Sequence, residues 1–470
     1  MKNIFKGLNV IFTISKIFFN FSIYLLIKNI RNKESIYFAD NIISNIKNGG
    51  NVYWKLSQWI TSRLELQFKI ENNYLVDQLK YFYEKCPAHD FKFTKKIIEN
   101  YFGKSISDVF YNLNENADAS GSIGQVHIGI LIENNKKVVV KIRHPDITEN
   151  ILILCTIIKS IIYFVEKLNF LKKTINFDLE GIDKYILDQT DFNNEVKNLN
   201  IMKNNFIDTT YVIIPEVYYF NEEMIIMEYI DGECINKIHS NDIKKHNEMM
   251  IKFWLFIRES ILINNFFHAD LHKGNWKVNN DKIVIYDFGL MLRDDDILEI
   301  NKIILLGIEC RSYELISYVI CSNIISSKKD INTLRSELED YLRKNLDKNV
   351  LDVSNDIRMI LNFLNINQLV LKFKIFTYLL AFNLASTNFK NFTFMENNKN
   401  YFESCLDRFS LLKDRCKKYG NDLLFDRIEL DKELFLELNK EELIRINREK
   451  EEKLKEIDNI LDELSSDEEN

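Results

Sequence analysis

Proline and glycine are scarce in this chain, with three prolines and thirteen glycines among 470 residues, against usual shares of roughly 5% and 7%. So few turn-formers argue against a sheet-dominated fold and for one in which helices prevail. The seven cysteines, Cys86, Cys155, Cys234, Cys310, Cys321, Cys405 and Cys416, are odd in number, scattered, and nowhere form a C-x-x-C pair. That excludes a zinc knuckle or a disulfide framework and suits a reducing, intracellular compartment. There is no excess of positive charge: 62 Lys and Arg stand against 69 Asp and Glu, a net charge of −7. Nucleic acid is therefore excluded as a main partner, because phosphate backbones are bound by clustered cations. No internal repeat is present. What remains is ordinary globular material, 46% apolar and 28% charged, able to bury a sizeable core. The length admits two to four domains or one large catalytic unit.

Acidic residues are absent before Glu34. Lys2, Lys6, Lys16, Lys28, Arg31 and Lys33 are the only charges there, set among Ile, Phe, Leu and Val. The run from Gly7 to Ile27 reaches the roughly 20 residues that span a bilayer. Its apolar side chains favour insertion by about 0.3–0.6 kcal/mol each, while Lys16 opposes it by about 3 kcal/mol at the centre. The balance lies near zero, so residues 1–33 are a membrane-anchor candidate, single-pass or interfacial, with a buried helix hairpin as the alternative. No small-residue cleavage site comes after the run, and a mitochondrial presequence would be unusually poor in Arg and Ser. A membrane-associated protein, single-pass or mitochondrial, is the expectation.

Helical spacing dominates residues 34–116, for example Ile97, Ile98, Tyr101 and Phe102. The texture then changes. Ser122–His127 and Val138–Ile142 read as two strands joined by the turn Glu133–Lys136. Ile147–Phe170 reads as a long helix. Tyr211–Ile214 and Met224–Tyr229 read as a second strand pair, and Lys282–Tyr286 as a further strand. Residues 117–231 thus form a first lobe with a helical insertion and 232–425 a helical second lobe. Residues 426–470 form a charged helical tail with Leu454, Ile457, Leu461 and Leu464 as its apolar stripe.

The chemistry concentrates in His268-Ala-Asp270-Leu-His-Lys-Gly-Asn275, with Asp287-Phe-Gly289 coming after an intervening strand. Phosphoryl transfer needs a carboxylate near the acceptor oxygen and two metal-holding groups near the phosphates. Asp270 supplies the first, and Asn275 and Asp287 the second. Hard oxygen donors of this kind suit Mg²⁺. Lys141, on the strand Val138–Lys141, stands where kinases carry the lysine that grips the phosphates of ATP, and Glu195 is the acidic group that would hold it. Ala119, Ser120, Gly121 and Ser122 occupy the phosphate-covering position, where small residues let backbone N–H groups approach a phosphate. Glu228 and Tyr229 fall at the adenine-binding hinge. After Gly289 there is neither a long activation segment nor an A-P-E, which argues against a protein substrate.

Together these motifs resemble the UbiB (aarF-domain, or ADCK) family of atypical kinases, over about residues 40 to 300. Lys55-Leu-Ser57-Gln58 resembles its K-x-G-Q signature, with Ser57 in place of glycine. Ala119–Ser122 resembles its alanine-rich loop, with Gly121 replacing an alanine, and Ser122-Ile-Gly-Gln-Val126 matches the family's residues on the C-terminal side of that loop. Gln189-Thr-Asp191 falls at its E-x-D motif, with Gln189 replacing glutamate. The resemblance implies an α+β, helix-rich, two-lobed protein-kinase-like fold with a helical N-terminal extension that folds across the site. It implies ATP and Mg²⁺ as cofactors, and an ATPase or kinase acting on a lipid or small-molecule acceptor in ubiquinone or other prenyl-lipid metabolism. Lys55, Gln58, Gln189 and Asp191 would be regulatory. An aminoglycoside- or choline-kinase-like enzyme shares the H-x-D-L-H-x-G-N loop, and a silent nucleotide-binding scaffold would share the fold. Both stay open at this point.

Overall fold

The computed structural model describes residues 2–50, 74–80, 86–156, 187–293, 313–346 and 353–389, except for single positions within them, and a few isolated residues between. The chain divides into two compact units, residues 1–237 with 266–390, and residues 238–265 with 391–470.

The first unit begins with helices α1 (Lys2–Arg31), α2 (Ile36–Gly49) and α3 (Tyr74–Lys80). Their core is Tyr24, Ala39, Ile42, Ile46, Tyr53, Trp54, Leu75, Leu79 and Cys86, and Ile14, Ile17 and Phe21 of α1 pack against it. Glu34, in the turn between α1 and α2, ties the three together. Its carboxylate accepts from Tyr24 Oη (2.9 Å), Lys28 Nζ (3.3 Å) and the Tyr74 N–H that opens α3 (2.9 Å).

This packing corrects the expectation of a single-pass, membrane-associated protein. Among the described residues no helix is long and apolar enough to cross a membrane. At 30 residues α1 has the length, but Lys6, Asn9, Lys16 and Asn20 interrupt its apolar run. One of its faces is used against α2 and α3, as in a packed hairpin.

After α4 (Phe91–Phe102) and the short α5 (Ile106–Val109) comes an antiparallel sheet. Its strands are β1 (Phe110–Leu113), β2 (Ala119–Ser120), β3 (Gly124–Leu131), β4 (Lys137–Arg143), β6 (Val217–Phe220) and β7 (Met224–Glu228), with β5 (Val212–Ile213) lying outside it. The order is β1-β3-β4-β7-β6, with β2 on β3. Strict alternation in β4 buries Val138, Val140 and Ile142 against Ile97 and Ile98 of α4, because successive side chains of a strand face opposite ways. Lys141 therefore faces away from that core, in register with Val126 on one side and Ile225 on the other. Gly124 opens β3 where a Cβ would lie 2.6 Å from the Ile142 carbonyl oxygen and 3.2 Å from the Phe192 ring. Only glycine allows that approach.

Helix α6 (Phe192–Asn205) packs on this lobe. The expected pairing of residues 211–214 with 224–229 does not form. Instead β5 lies parallel to β10 (Lys282–Ile285), which also pairs antiparallel with β9 (Trp276–Asn279), while β7 is taken by β4 and β6. Strands β8 (Phe266–His268) and β11 (Met291–Arg293) pair with each other. Helices α9 (Tyr313–Ser322), α10 (Ile331–Asn345), α11 (Val353–Ile366) and α12 (Phe373–Ser386) complete the unit. Of the expected helix at 147–170 only its first residues are described, and the charged tail lies outside the described residues. The short α7 (Ile235–Asn241) leads into the second unit, where α8 (Ile243–Leu262) buries Met249, Met250, Phe253, Phe256 and Ile257. The rings of His239 and His246 meet edge to face there at 4.6 Å.

Three histidines form a network at the edge of the sheet. His89 Nδ1 lies 2.8 Å from His144 Nδ1, and its Nε2 lies 3.0 Å from Thr94 Oγ1. Gln125 Nε2 lies 3.0 Å from His127 Nε2. Burial depresses all three rings, His89 to about 4, where the neighbouring histidines add to the effect while Asp90 opposes it. The carbonyl of Asn114 and the carboxylate of Asp118 oppose the fall at His127, and the carbonyl of Gly121 opposes it at His144. A histidine whose folded pKa lies below its unfolded value of about 6.5 takes up its proton first in the unfolded chain. The stability tied to the network is therefore complete above about pH 6.5 and is lost as pH falls toward 4. Thermal melting measured from pH 8 to 5 is expected to show Tm falling below about 6.5, less steeply in His127→Gln. A wild-type Tm that is flat over this range would contradict the reading.

Candidate active site

A cleft of about 810 Å³ is lined by the loop 118–124, by Val139, Lys141, Gln189 and Glu195, by Met227–Ile230, by Ala269, Asp270 and His272–Asn275, and by Tyr286, Asp287 and Gly289. Of the expected site residues, Asp270, Lys141, Glu195, Asn275, Asp287, Ala119, Ser120, Gly121, Ser122, Glu228, Tyr229 and Gln189 all line this one space.

Lys141 stands at its centre. Its Nζ donates to Glu195 Oε1 (2.6 Å), Glu195 Oε2 (2.8 Å) and Asp287 Oδ2 (3.2 Å). Glu195 comes from the first turn of α6, whose N-cap, Asp191, accepts from Asn193 N–H at 2.9 Å. Asp191 thus aims the helix that carries Glu195. Gln189 is buried and Thr190 O accepts from Arg143 Nη1 at 2.9 Å, so this motif is tied to the end of β4. The electrostatics come from one cation facing two carboxylates. Burial opposes the charge on Lys141, but Asp287 and Glu195 override it and hold its pKa above the usual lysine value. Removal from water also opposes ionisation of Asp287. Lys141 and the Gly289 N–H at 2.8 Å outweigh this and keep its carboxyl well below the usual range. Glu195 is pushed up to about 7 by burial, against the pull of Lys141, with Asp287 adding to the rise.

The loop carrying Asp270 is fastened from three sides. His268, fully buried, accepts from Asp270 N–H at Nδ1 (3.1 Å), so its Nε2 carries the proton and donates to the Asp287 carbonyl. One neutral ring, kept neutral chiefly by burial, thereby ties the two expected chemical loops together. Asn275 Nδ2 donates to Asp270 O (2.8 Å), which commits the amide nitrogen to the loop and leaves its oxygen as the donor toward a cation. From the C-terminal side, Asn388 Nδ2 donates to Leu271 O (2.8 Å), and its Oδ1 accepts from Trp276 Nε1 (3.0 Å). Asp270 itself stays partly open, with His272 Nε2 at 3.9 Å from its Oδ2.

At the hinge, Lys137 Nζ sits 3.8 Å over the Tyr229 ring, Glu228 N–H donates to Glu216 O (2.8 Å), and Tyr286 Oη donates to Ile230 O (3.0 Å). Tyr286 joins the hinge to the turn at Asp287. Its position just before Asp287 was a signal that sequence reasoning passed over, whereas Asn388, more than a hundred residues from the loop it holds, offered none. Lys55 and Gln58 lie outside the described residues. Ser57, between them, is buried and donates to Trp54 O at 2.7 Å.

The donor set fits Mg²⁺ shared with phosphates. The residues present offer one carboxylate and one amide oxygen, and among the described residues no group of three His, Cys, Asp or Glu forms a metal cage. Magnesium typically takes one or two carboxylates together with phosphate oxygens and water. Ser120 Oγ, in the loop over the cleft, is buried without a hydrogen-bond partner among the described residues.

Residues 81–307 match the family described as ABC1 atypical kinase-like domain. Similar curated proteins include a probable serine/threonine-protein kinase, abkC, of Dictyostelium discoideum, 32% identical over 50% of this chain and 34% of that protein. The chloroplastic Activity of bc1 complex kinase 8 of Arabidopsis thaliana is 29% identical over 53% and 33%. A probable protein kinase UbiB of Glaesserella parasuis is 30% identical over 49% and 43%. The chain thus matches only about a third to two-fifths of these relatives' length. Among solved structures, a complex of Rv3197 with erythromycin from Mycobacterium tuberculosis aligns with a TM-score of 0.42 and 17% identity, over 65% of this chain and 83% of that one. The fold is kinase-like, α+β and helix-rich.

The Lys141 arrangement predicts a specific stability pattern. Lys141→Met removes the cation between two carboxylates and is expected to cost about 3 kcal/mol in urea unfolding. Lys141→Met combined with Glu195→Gln should recover most of that loss, because one of the two facing negative charges is gone. Equal stability of the single and double variants would show that carboxylate repulsion is not what the lysine relieves.

Proposed function

Because residues 81–307 belong to the ABC1 family of atypical kinase-like domains, we propose that this cleft binds ATP with Mg²⁺ and passes its terminal phosphoryl group to a small-molecule or lipid acceptor, or to water. The observation that carries the reading is the convergence of Lys141, Glu195 and Asp287 within hydrogen-bonding distance, on the cleft that Asp270 and Asn275 also line.

In this reading Lys141 grips the phosphates, and Glu195 holds Lys141 in place. Asp287 and Asn275 hold Mg²⁺, which when bound neutralises charge on the phosphate oxygens. Asp270 accepts the proton of the attacking hydroxyl. Ala119, Ser120, Gly121 and Ser122 cover the phosphates, and the backbone of Glu228 and Tyr229 meets the adenine. Asp287 would hold Mg²⁺ through its carboxylate, and Lys141 would direct its donors to Glu195 and to phosphate.

The cleft lining also includes Leu290 and, from successive turns of α12, Leu380 and Leu384. Apolar side chains in the cleft that Asp270 also lines suit an acceptor with a hydrocarbon body, and so support a role in ubiquinone or other prenyl-lipid metabolism over one on polar sugars or peptides.

Two substitutions separate the roles. Asp287→Asn is expected to abolish the Mg²⁺-dependent part of the thermal shift given by ATP, and an undiminished metal-dependent shift would remove Asp287 from metal holding. Asp270→Asn should leave that shift intact while lowering turnover by about 10²-fold or more, the usual scale for loss of a positioned base. ATP hydrolysis at the wild-type rate would overturn its assignment.

A further inference from the structure

The loop over the cleft is held from behind by groups that the phosphotransfer reading does not use. Within its own lobe, Gly121 N–H donates to Gly124 O (3.0 Å), and β2 pairs with β3 at Ala119–Val126 and Ser120–Gln125. Three loop carbonyls are taken by donors from elsewhere. Ser120 O accepts from Cys86 N–H (3.0 Å), Ile123 O from His144 N–H (2.9 Å), and Gly121 O from His144 Nε2 (2.9 Å). A trans peptide turns as one plane. Fixing the Gly121 carbonyl therefore fixes the direction of the Ser122 N–H on the other side of that plane.

The acceptors set the histidine tautomers. A carbonyl only accepts, so the proton of His144 is on Nε2, facing Gly121 O, and its Nδ1 is an acceptor in the neutral ring. The 2.8 Å contact with His89 then requires the His89 proton on Nδ1. His89 Nε2 is left to accept from Thr94 Oγ1 at 3.0 Å. His127 donates from Nδ1 to Asn114 O (2.7 Å), and its Nε2 accepts from Gln125 Nε2 (3.0 Å). Gln125 in turn grips the His89 backbone, its Oε1 accepting from His89 N–H (2.7 Å) and its Nε2 donating to His89 O (3.3 Å). From Thr94 through His89 and His144 to Gly121 each contact has one donor and one acceptor, and the donors run toward the loop. His89 belongs to the segment Cys86–Asp90 that leads from the N-terminal helices into α4, so the chain connecting those helices to the sheet also presses on the loop.

We propose that His144 is a positioning residue for the nucleotide loop, its Nε2–H orienting the Gly121 peptide, while His89 holds His144 in the tautomer that can do so. This rests on the nucleotide reading of the cleft. Glu195, Lys141 and Asp287 are set by α6, β4 and the turn after β10, and none of them touches Gly121, so His144 acts on phosphate contacts without belonging to that group.

Two short substitutions isolate the bond. His144→Asn places an amide near the Nδ1 position, keeping the partner of His89 but falling short of Gly121 O. His144→Gln reaches the Nε2 position and restores a donor there. Both are made in the full chain and read by titration with ATP and Mg²⁺ and by amide hydrogen exchange of residues 119–124 without nucleotide. The Asn variant is expected to bind MgATP roughly tenfold more weakly, the scale of one lost buried hydrogen bond, with faster loop exchange, and the Gln variant to stay within about twofold of wild type. An Asn variant indistinguishable from wild type in both readouts, or a Gln variant as impaired as Asn, would overturn the role of this bond. If wild type itself does not bind MgATP, the nucleotide reading fails, and exchange alone still decides whether His144 holds the loop.

Discussion

One ammonium group between two carboxylates organises this site. Lys141 is nearly buried, with 12% of its side chain exposed, and Glu195 more so at 4%. Such a charge is unfavourable inside a protein unless neighbouring groups match it. The match comes from opposite directions: Glu195 on the helix packed against the sheet, and Asp287 on the turn after β10. Helix, sheet and turn are thereby required to meet at one point. Burial raises Glu195, while Lys141 and the Gly289 N–H keep Asp287 ionised, which is the polarity a cation at Asp287 would need.

Around that pair the protein uses neutral polar groups as fasteners. His268 ties the Asp270 loop to the Asp287 backbone, Asn388 ties the same loop to the C-terminal helices, and Asn198 of α6 donates to Phe288 O at 3.0 Å. The histidine network does the same for the loop over the cleft. His268 and Asn388 have both donor and acceptor atoms used, which holds the Asp270 and Asp287 turns without adding charge to the cleft.

The parts of the site that could be read in advance are those with short-range grammar. Asp270 and Asn275 are five residues apart on one loop, and Asp287 comes after a single strand, so their meeting needs only a tight turn and a hairpin. Lys141 was placed on its strand by the β-branched run Val138–Val140 that precedes it, and a strand, Lys137–Arg143, is found there. Asp191 proved to be a helix cap as well as a motif residue. The pairing of residues 211–214 was misjudged because β-strand character says where a strand is and not which strand accepts its hydrogen bonds. Apolar helix α1 was misjudged for a related reason: the same run of Ile, Phe and Leu satisfies a lipid phase or a neighbouring helix, and only the presence of α2 and α3 against Ile14, Ile17, Phe21 and Tyr24 decides between them.

Composition and spacing alone thus determined the helical bias, the short intervals that bring Asp270, Asn275 and Asp287 to one cleft, and the likeness to the atypical kinase-like family that residues 81–307 match. These depend on periodicities and intervals of a few residues that backbone geometry imposes. Tertiary structure alone decided that α1 packs on protein, that β5 joins β10, that Asn388 braces the Asp270 loop, and that His89, His127 and His144 converge behind Gly121. Those contacts close chain segments of tens to more than a hundred residues, and no local spacing encodes which distant surface a side chain will meet.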